Sequence, residues 1–153
     1  MKKRALAIVL AGLSTLAQAG PFSNFMGSYA GGVNEGDGSR DLDQTLANVS
    51  AYLNRSAPVT LDADTRLDRV TSGPGHRLSY HYTLTSVQSK AFKRAEFQKL
   101  IREPLQAKLC SSKEMRGFLV RGVTISYDYL GNDGHRLGAA RFTASDCGLQ
   151  TVS

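Results

Sequence analysis

The stretch GHRLSYHYTL, residues 75–84, alternates cleanly once past its opening glycine: Leu78, Tyr80, Tyr82 and Leu84 fall on one side, and Arg77, Ser79, His81 and Thr83 on the other. A period of two with apolar residues on one phase is the mark of a strand with one packed face and one wet face. The SGPG run at 72–75 supplies a turn before it. Upstream, VTLDADTRLDRV at 59–70 alternates as well, with Val59, Leu61, Ala63, Thr65 and Leu67 on one side and Asp62, Asp64, Arg66 and Asp68 on the other. The phase slips by one before Val70, which predicts a bulge in an otherwise single strand.

A second hairpin is expected downstream. Val123, Ile125, Tyr127 and Tyr129 alternate with Thr124, Ser126 and Asp128, and GNDG at 131–134 is a turn signal because its residues accept positive φ cheaply. The closing strand, HRLGAARFTA at 135–144, is blurred: Leu137 and Ala139 share a phase that Phe142 does not.

Helical periods precede each hairpin. Asp41 and Gln44 have capping-box spacing, and Leu42, Leu46, Val49 and Leu53 make one apolar face, with Pro58 marking the exit. Phe97, Leu100, Ile101, Pro104 and Leu105 make the stripe of a second helix over 91–109, with a kink or restart expected at Pro104. Ser111 and Glu114 suggest a further box that opens a short helix to Phe118. The order reads as two α-β-β units, and GHRL recurs at 134–137 just after the second turn. The expected fold is α+β: a four-stranded antiparallel sheet with two main helices packed on one face, in a single domain over 41–153.

Residues 1–19 read as a secretory signal peptide. MKKR is a charged start, ALAIVLAGLSTL a short apolar run, and AQA before Gly20 a small-x-small cleavage site. The run is too short to span a bilayer, and no cysteine stands at the cleavage point to carry a lipid. Residues 20–40 form a glycine-rich leader without period, expected to stay flexible. The mature chain is therefore expected to be periplasmic or secreted, without stable membrane insertion, after cleavage near Ala19–Gly20.

Cleavage also removes the three charges of Lys2, Lys3 and Arg4, taking the formal net charge from +6 to +3. The case for nucleic acid weakens accordingly. Residues 69–153 still hold thirteen bases against six acids, a hint of an acidic partner or anionic surface. Cys110 and Cys147 are the only cysteines, and in an oxidising compartment they read first as a disulfide, with metal ligation and a reactive thiol as alternatives.

Signals for chemistry are thin. His76 and His135 follow matching turns and could share a metal only if both turns lie at one end of the sheet, which the sequence leaves open; His81 sits within its strand. Asp62, Asp64 and Asp68 fall on one strand phase, yet they lack the glycine turn and later glutamate of a calcium loop, and Arg66 between them suggests a ladder of opposite charges. No nucleophile elbow or phosphate loop is present. Tyr80, Tyr82, Tyr127 and Tyr129 continue the apolar phase, so they are expected in the core and not as a platform for bases. Lys99 and Arg102, with Glu96 and Glu103, read as the wet side of the second helix.

The run LDADTRLDRVTSGPGHRLSYHYTL at 61–84, a late cysteine, GVTISYDYLGNDG at 122–134 and the final DCG at 146–148 resemble small exported bacterial proteins of unassigned function with an α-β-β-α-β-β layout and one disulfide. The resemblance implies no catalytic residues. Taken together, the sequence points to an exported binding protein, not an enzyme, without metal or cofactor. It would act on a protein partner in the cell envelope as an inhibitor, an immunity-type protector or an accessory factor. Arg66, Arg77 and His81 are the candidate contact residues. The competing expectation is a small exported hydrolase using Asp62, Asp64 or His81.

Overall fold

Arg77–Leu84 forms β3, which stands at the centre of a five-stranded sheet. The computed structural model describes residues 38–152. In chain order these form α1 (Gly38–Asn54), β1 (Val59–Thr60), β2 (Thr65–Gly73), β3, a 3-10 turn at Ser89–Ala91, α2 (Arg94–Ser111), α3 (Lys113–Val120), β4 (Thr124–Gly131), β5 (Arg136–Phe142) and a final 3-10 turn at Ala144–Cys147. The expected signal peptide and nearly all of the expected leader lie outside the described residues.

Sheet order follows the chain from β1 to β5. Every neighbouring pair is antiparallel except β3 and β4, which run parallel from Arg77↔Thr124 to Leu84↔Gly131. The expected four-stranded antiparallel sheet under two helices is thus corrected to a five-stranded mixed sheet with three helices, while the α+β class stands. The crossover explains the difference. The 18 residues of α2 span about 27 Å at the rise of an α-helix, enough to return the chain to the end where β3 began. The two hairpins are consequently inverted relative to one another, and the two α-β-β units are not a simple repeat.

The fifth strand arises because 59–70 is not one strand. The chain turns at 61–64, where the Leu61 N–H donates to the Thr65 carbonyl (2.9 Å) and Asp62 Oδ1 accepts the Asp64 N–H (2.8 Å). β1 then folds back on β2, pairing Val59 with Leu67. A bulge interrupts β2 between Leu67 and Arg69, where the alternation slips. Another lies between Tyr129 and Leu130, where β5 takes up an extra residue, and this resolves the blurred phase: Leu137 and Phe142 are both buried.

The helices differ from expectation at their ends. α1 already runs from Gly38, so the Asp41–Gln44 spacing does not mark its start. α2 continues through Pro104 without a restart. The break comes at Ser112, one residue after the expected cap, where Ser112 Oγ accepts the Met115 N–H at 3.3 Å and opens α3.

Leu42, Leu46 and Val49 of α1, Phe97, Ile101, Leu105 and Leu109 of α2, and Phe118 and Leu119 of α3 join the apolar sheet face in one buried cluster. At its centre the rings of Tyr80, Tyr82, Tyr127 and Tyr129 stack across β3 and β4, with neighbouring centroids 5.2–6.4 Å apart. Their exposures of 3, 1, 7 and 2% place them in the core, as their phase predicts.

Candidate functional site

The second face of the sheet carries no helix of the core cluster, and strand pairing sorts its side chains into four rows. The first holds Gly73, Arg77 and Thr124; the second Thr71, Ser79, Ser126 and Arg141. The third holds Arg69, His81, Asp128 and Ala139, and the fourth Arg66, Thr83, Leu130 and Arg136. Arg66, Arg77 and His81 therefore stand on one face, along with three further arginines. A cleft of about 480 Å³ opens over it, walled by Arg77, Arg136 and Arg141, with Thr71, Ser79 and Ser126 among its floor residues and Asp128 and Gln98 also lining it.

Local contacts hold these groups in place. Arg66 Nε meets Asp68 Oδ1 at 2.6 Å, while Thr83 Oγ1 donates to Asp68 Oδ2 at 2.6 Å. Arg136 Nη2 donates to Asp128 Oδ1 at 2.8 Å. Arg77 Nε donates to the Pro74 carbonyl at 3.2 Å, and its guanidinium lies over Gly73, where a Cβ would come within 3.6 Å of Nη2. His81 Nε2 lies 2.8 Å from Thr71 Oγ1. Burial, chiefly, and the charge of Arg69 hold the His81 imidazole below its ordinary pKa, with Asp128 and Asp68 pulling the other way.

Side chains close the edges of the same sheet. Beyond the two residues of β1, Asn54 at the end of α1 acts as a surrogate strand: its Nδ2 donates to the Val70 carbonyl and its Oδ1 accepts the Val70 N–H, both at 2.7 Å. On the far side, α2 covers β5, with Gln98 Nε2 donating to the Ala139 carbonyl (3.3 Å) and Arg102 Nη1 to the Arg141 carbonyl (3.2 Å). Arg102 is thus not merely on a wet helix side; it also pairs with Asp146 at 2.7 Å and lies over the Phe142 ring. These bonds cap Val70 at one edge and the Ala139 and Arg141 carbonyls at the other, groups that an added strand would otherwise use.

The other candidates from the sequence do not converge. His76 and His135 lie beside hairpin tips at opposite ends of the sheet, because β3 and β4 are parallel. Each belongs to its own turn: His76 takes φ 57° and bonds Asp43 Oδ1 through both its N–H (3.0 Å) and Nδ1 (2.9 Å), while the His135 N–H donates to Asp133. Asp62 and Asp64 sit in the 61–64 turn and do not share a strand face with Asp68. Thr71 and His81 form a hydroxyl–imidazole pair, but the carboxylate nearest in register, Asp128, is engaged by Arg136. Among the described residues no three His, Cys, Asp or Glu side chains gather to hold a metal ion. Cys110 and Cys147 are bonded to each other and tie the end of the chain to α2.

Sequence reasoning missed Arg69, Arg136 and Arg141 as members of the face. Arg69 was hidden by the bulge at Asp68, and the two β5 arginines by the blurred phase of that strand. The edge-closing roles of Asn54 and Gln98 leave no periodic signal at all.

Among the described residues, the sheet has helices on one side and an arginine-rich face on the other, the layout of a small α+β protein. The chain belongs to the family described as Domain of unknown function (DUF8479), whose model matches residues 42–138. No curated protein matches the sequence. Its fold is similar to that of a Pseudomonas aeruginosa protein described as secreted, at TM-score 0.62 and 20% identity over 76% of this chain and 99% of that one. It is also similar to the type 2 secretion system pilotin EpsS of Vibrio vulnificus (TM-score 0.58, 17% identity, 72% and 94% covered). The type II secretion pilotin AspS of Vibrio cholerae gives TM-score 0.54 at 15% identity, with 72% and 95% covered. At such identities the likeness shows the fold alone.

Proposed function

We propose that this protein is an exported accessory protein of the bacterial cell envelope and that it works by holding a protein partner, not by turnover. The observation that carries this is the set of arginines and His81 on the sheet face that, among the described residues, no helix of the core covers. A partner docking there meets side chains, and Arg66, Arg77 and His81 are the contact residues proposed on that face. Shared fold with a protein described as secreted and with two type II secretion pilotins supports an envelope setting. The signal-peptide features of residues 1–19 agree with export. No helix among the described residues is long and apolar enough to cross a membrane.

A hydrolase using Asp62, Asp64 or His81 is less well supported, since the two aspartates sit in a turn away from the histidine's row. The test is a photo-crosslinking residue installed at Ser79, on the face, or at Lys99, on the exposed side of α2, in cells that make the exported protein. An adduct of defined mass from Ser79 and none from Lys99 is expected. Adducts from Lys99 alone, or turnover of a substrate lost in His81→Ala, would overturn the proposal.

A further inference from the structure

Resting on that reading of the face, we propose that the partner presents an acidic segment, carrying several carboxylates, laid across the arginine-rich face. Each row of the face contains a cation: Arg77 in the first, Arg141 in the second, Arg69 in the third, and Arg66 with Arg136 in the fourth. These cations stand on β3, β5 and β2 in turn and then on both β2 and β5, so the positive charge covers the width of the sheet. A single small anion would need cations gathered at one point, whereas these are spread from β2 to β5.

Two arginines are already engaged by the carboxylates of the face, Arg66 by Asp68 and Arg136 by Asp128. The Asp128 carboxylate lines the cleft, but that ion pair offsets its repulsion of an incoming acid. Arg69, Arg77 and Arg141 are exposed, occupy three consecutive rows, and have no carboxylate within ion-pair distance among the described residues. A guanidinium binds a carboxylate through two parallel N–H donors, and Arg77 is already held by Gly73 and Pro74. Other polyanions fit less well. Single-stranded nucleic acid binds by stacking on exposed rings, and the four sheet tyrosines are buried on the opposite face. An anionic membrane favours apolar side chains that enter it, and the exposed large hydrophobic residue among those described is Val152, in the tail.

The experiment is fluorescence anisotropy with a dye-labelled peptide of four Glu-Ser repeats and the purified exported protein. Binding is expected to weaken roughly tenfold between about 50 and about 200 mM NaCl, as contacts between exposed charges are screened. Arg77→Gln with Arg141→Gln should weaken it at least about tenfold, whereas Lys99→Gln should change it less than about twofold. The charge-retaining pair Arg77→Lys and Arg141→Lys should fall between, because lysine lacks the fork. Equal affinity for a Lys-Ser repeat, no loss in the glutamine pair, or preference for phosphatidylglycerol vesicles or a single-stranded oligonucleotide would overturn the proposal. If the acidic peptide fails to bind while Ser79 still crosslinks a partner, the acidic segment is wrong and the face stands. Crosslinks from Lys99 alone would remove the face itself.

Discussion

The N–H of Thr124 donates to the carbonyl of His76 at 2.8 Å, so β4 starts abreast of β3 and the two strands run the same way. The tip of the β2–β3 hairpin and the tip of the β4–β5 hairpin are thereby sent to opposite ends of the sheet. Spin labels at Pro74→Cys and His135→Cys, with the native cysteines bonded to each other, should report a separation of about 25 Å, set by the length of eight residues of strand. A distance near 10 Å in a dipolar measurement would put both tips at one end and sink the parallel pair.

Asn54 supplies both hydrogen bonds of Val70, whose side chain is almost fully buried. Removing the amide leaves a donor and an acceptor without a partner close to the core. Asn54→Ala should destabilise the fold by about 2 kcal/mol in urea titration. A loss below about 0.5 kcal/mol would mean that water replaces the amide and that this edge is not closed by it.

The disulfide links residues 37 apart in sequence, from the end of α2 to the 3-10 turn after β5. Its removal frees the unfolded chain. Cys110→Ala with Cys147→Ala should lower stability by about 4 kcal/mol on the chain-entropy account, read as a shifted urea midpoint. Because Arg102 and Gln106 also hold Asp146, at 2.7 Å through its carboxylate and 2.6 Å through its carbonyl, circular dichroism in buffer should still show the native spectrum.

The depressed pKa of His81 predicts a pH dependence with a definite sign. The unfolded chain, with its imidazole near the ordinary 6.5, takes up a proton before the folded one does. Stability should therefore fall as pH drops below about 6.5, until the folded imidazole also titrates. Asp43 is held below its ordinary value mainly by the hydrogen bond from His76, so its stabilising contribution is lost only at lower pH, in the carboxylate range. His81→Gln should flatten the decline in urea midpoint between about pH 7 and about pH 5. Equal slopes for both proteins would show that His81 does not carry it.

Much of the fold was legible because it is written in local periods. The alternation through Leu78–Leu84 and Val123–Tyr129 located the two central strands, and their shared phase put the four tyrosines inside. The slip before Val70 located a bulge. The capping spacings were off by one to three residues, since a helix start depends on backbone partners as well as side-chain identity. For the candidate site, phase alone set Arg66, Arg77 and His81 on one face; the bulge beside Arg69 and the irregular start of β5 concealed the rest.

By itself the chemistry of the chain determined the α+β class, the buried phase of each central strand and the cysteine pairing, because each depends on neighbours in sequence or on there being only two cysteines. Only the tertiary structure decided that β3 and β4 are parallel, that the twin GHRL segments face opposite ends, and that five arginines from β2, β3 and β5 share one face. Strand order and register depend on how far a helix carries the chain before the next strand begins, and no periodicity within the strands encodes that distance.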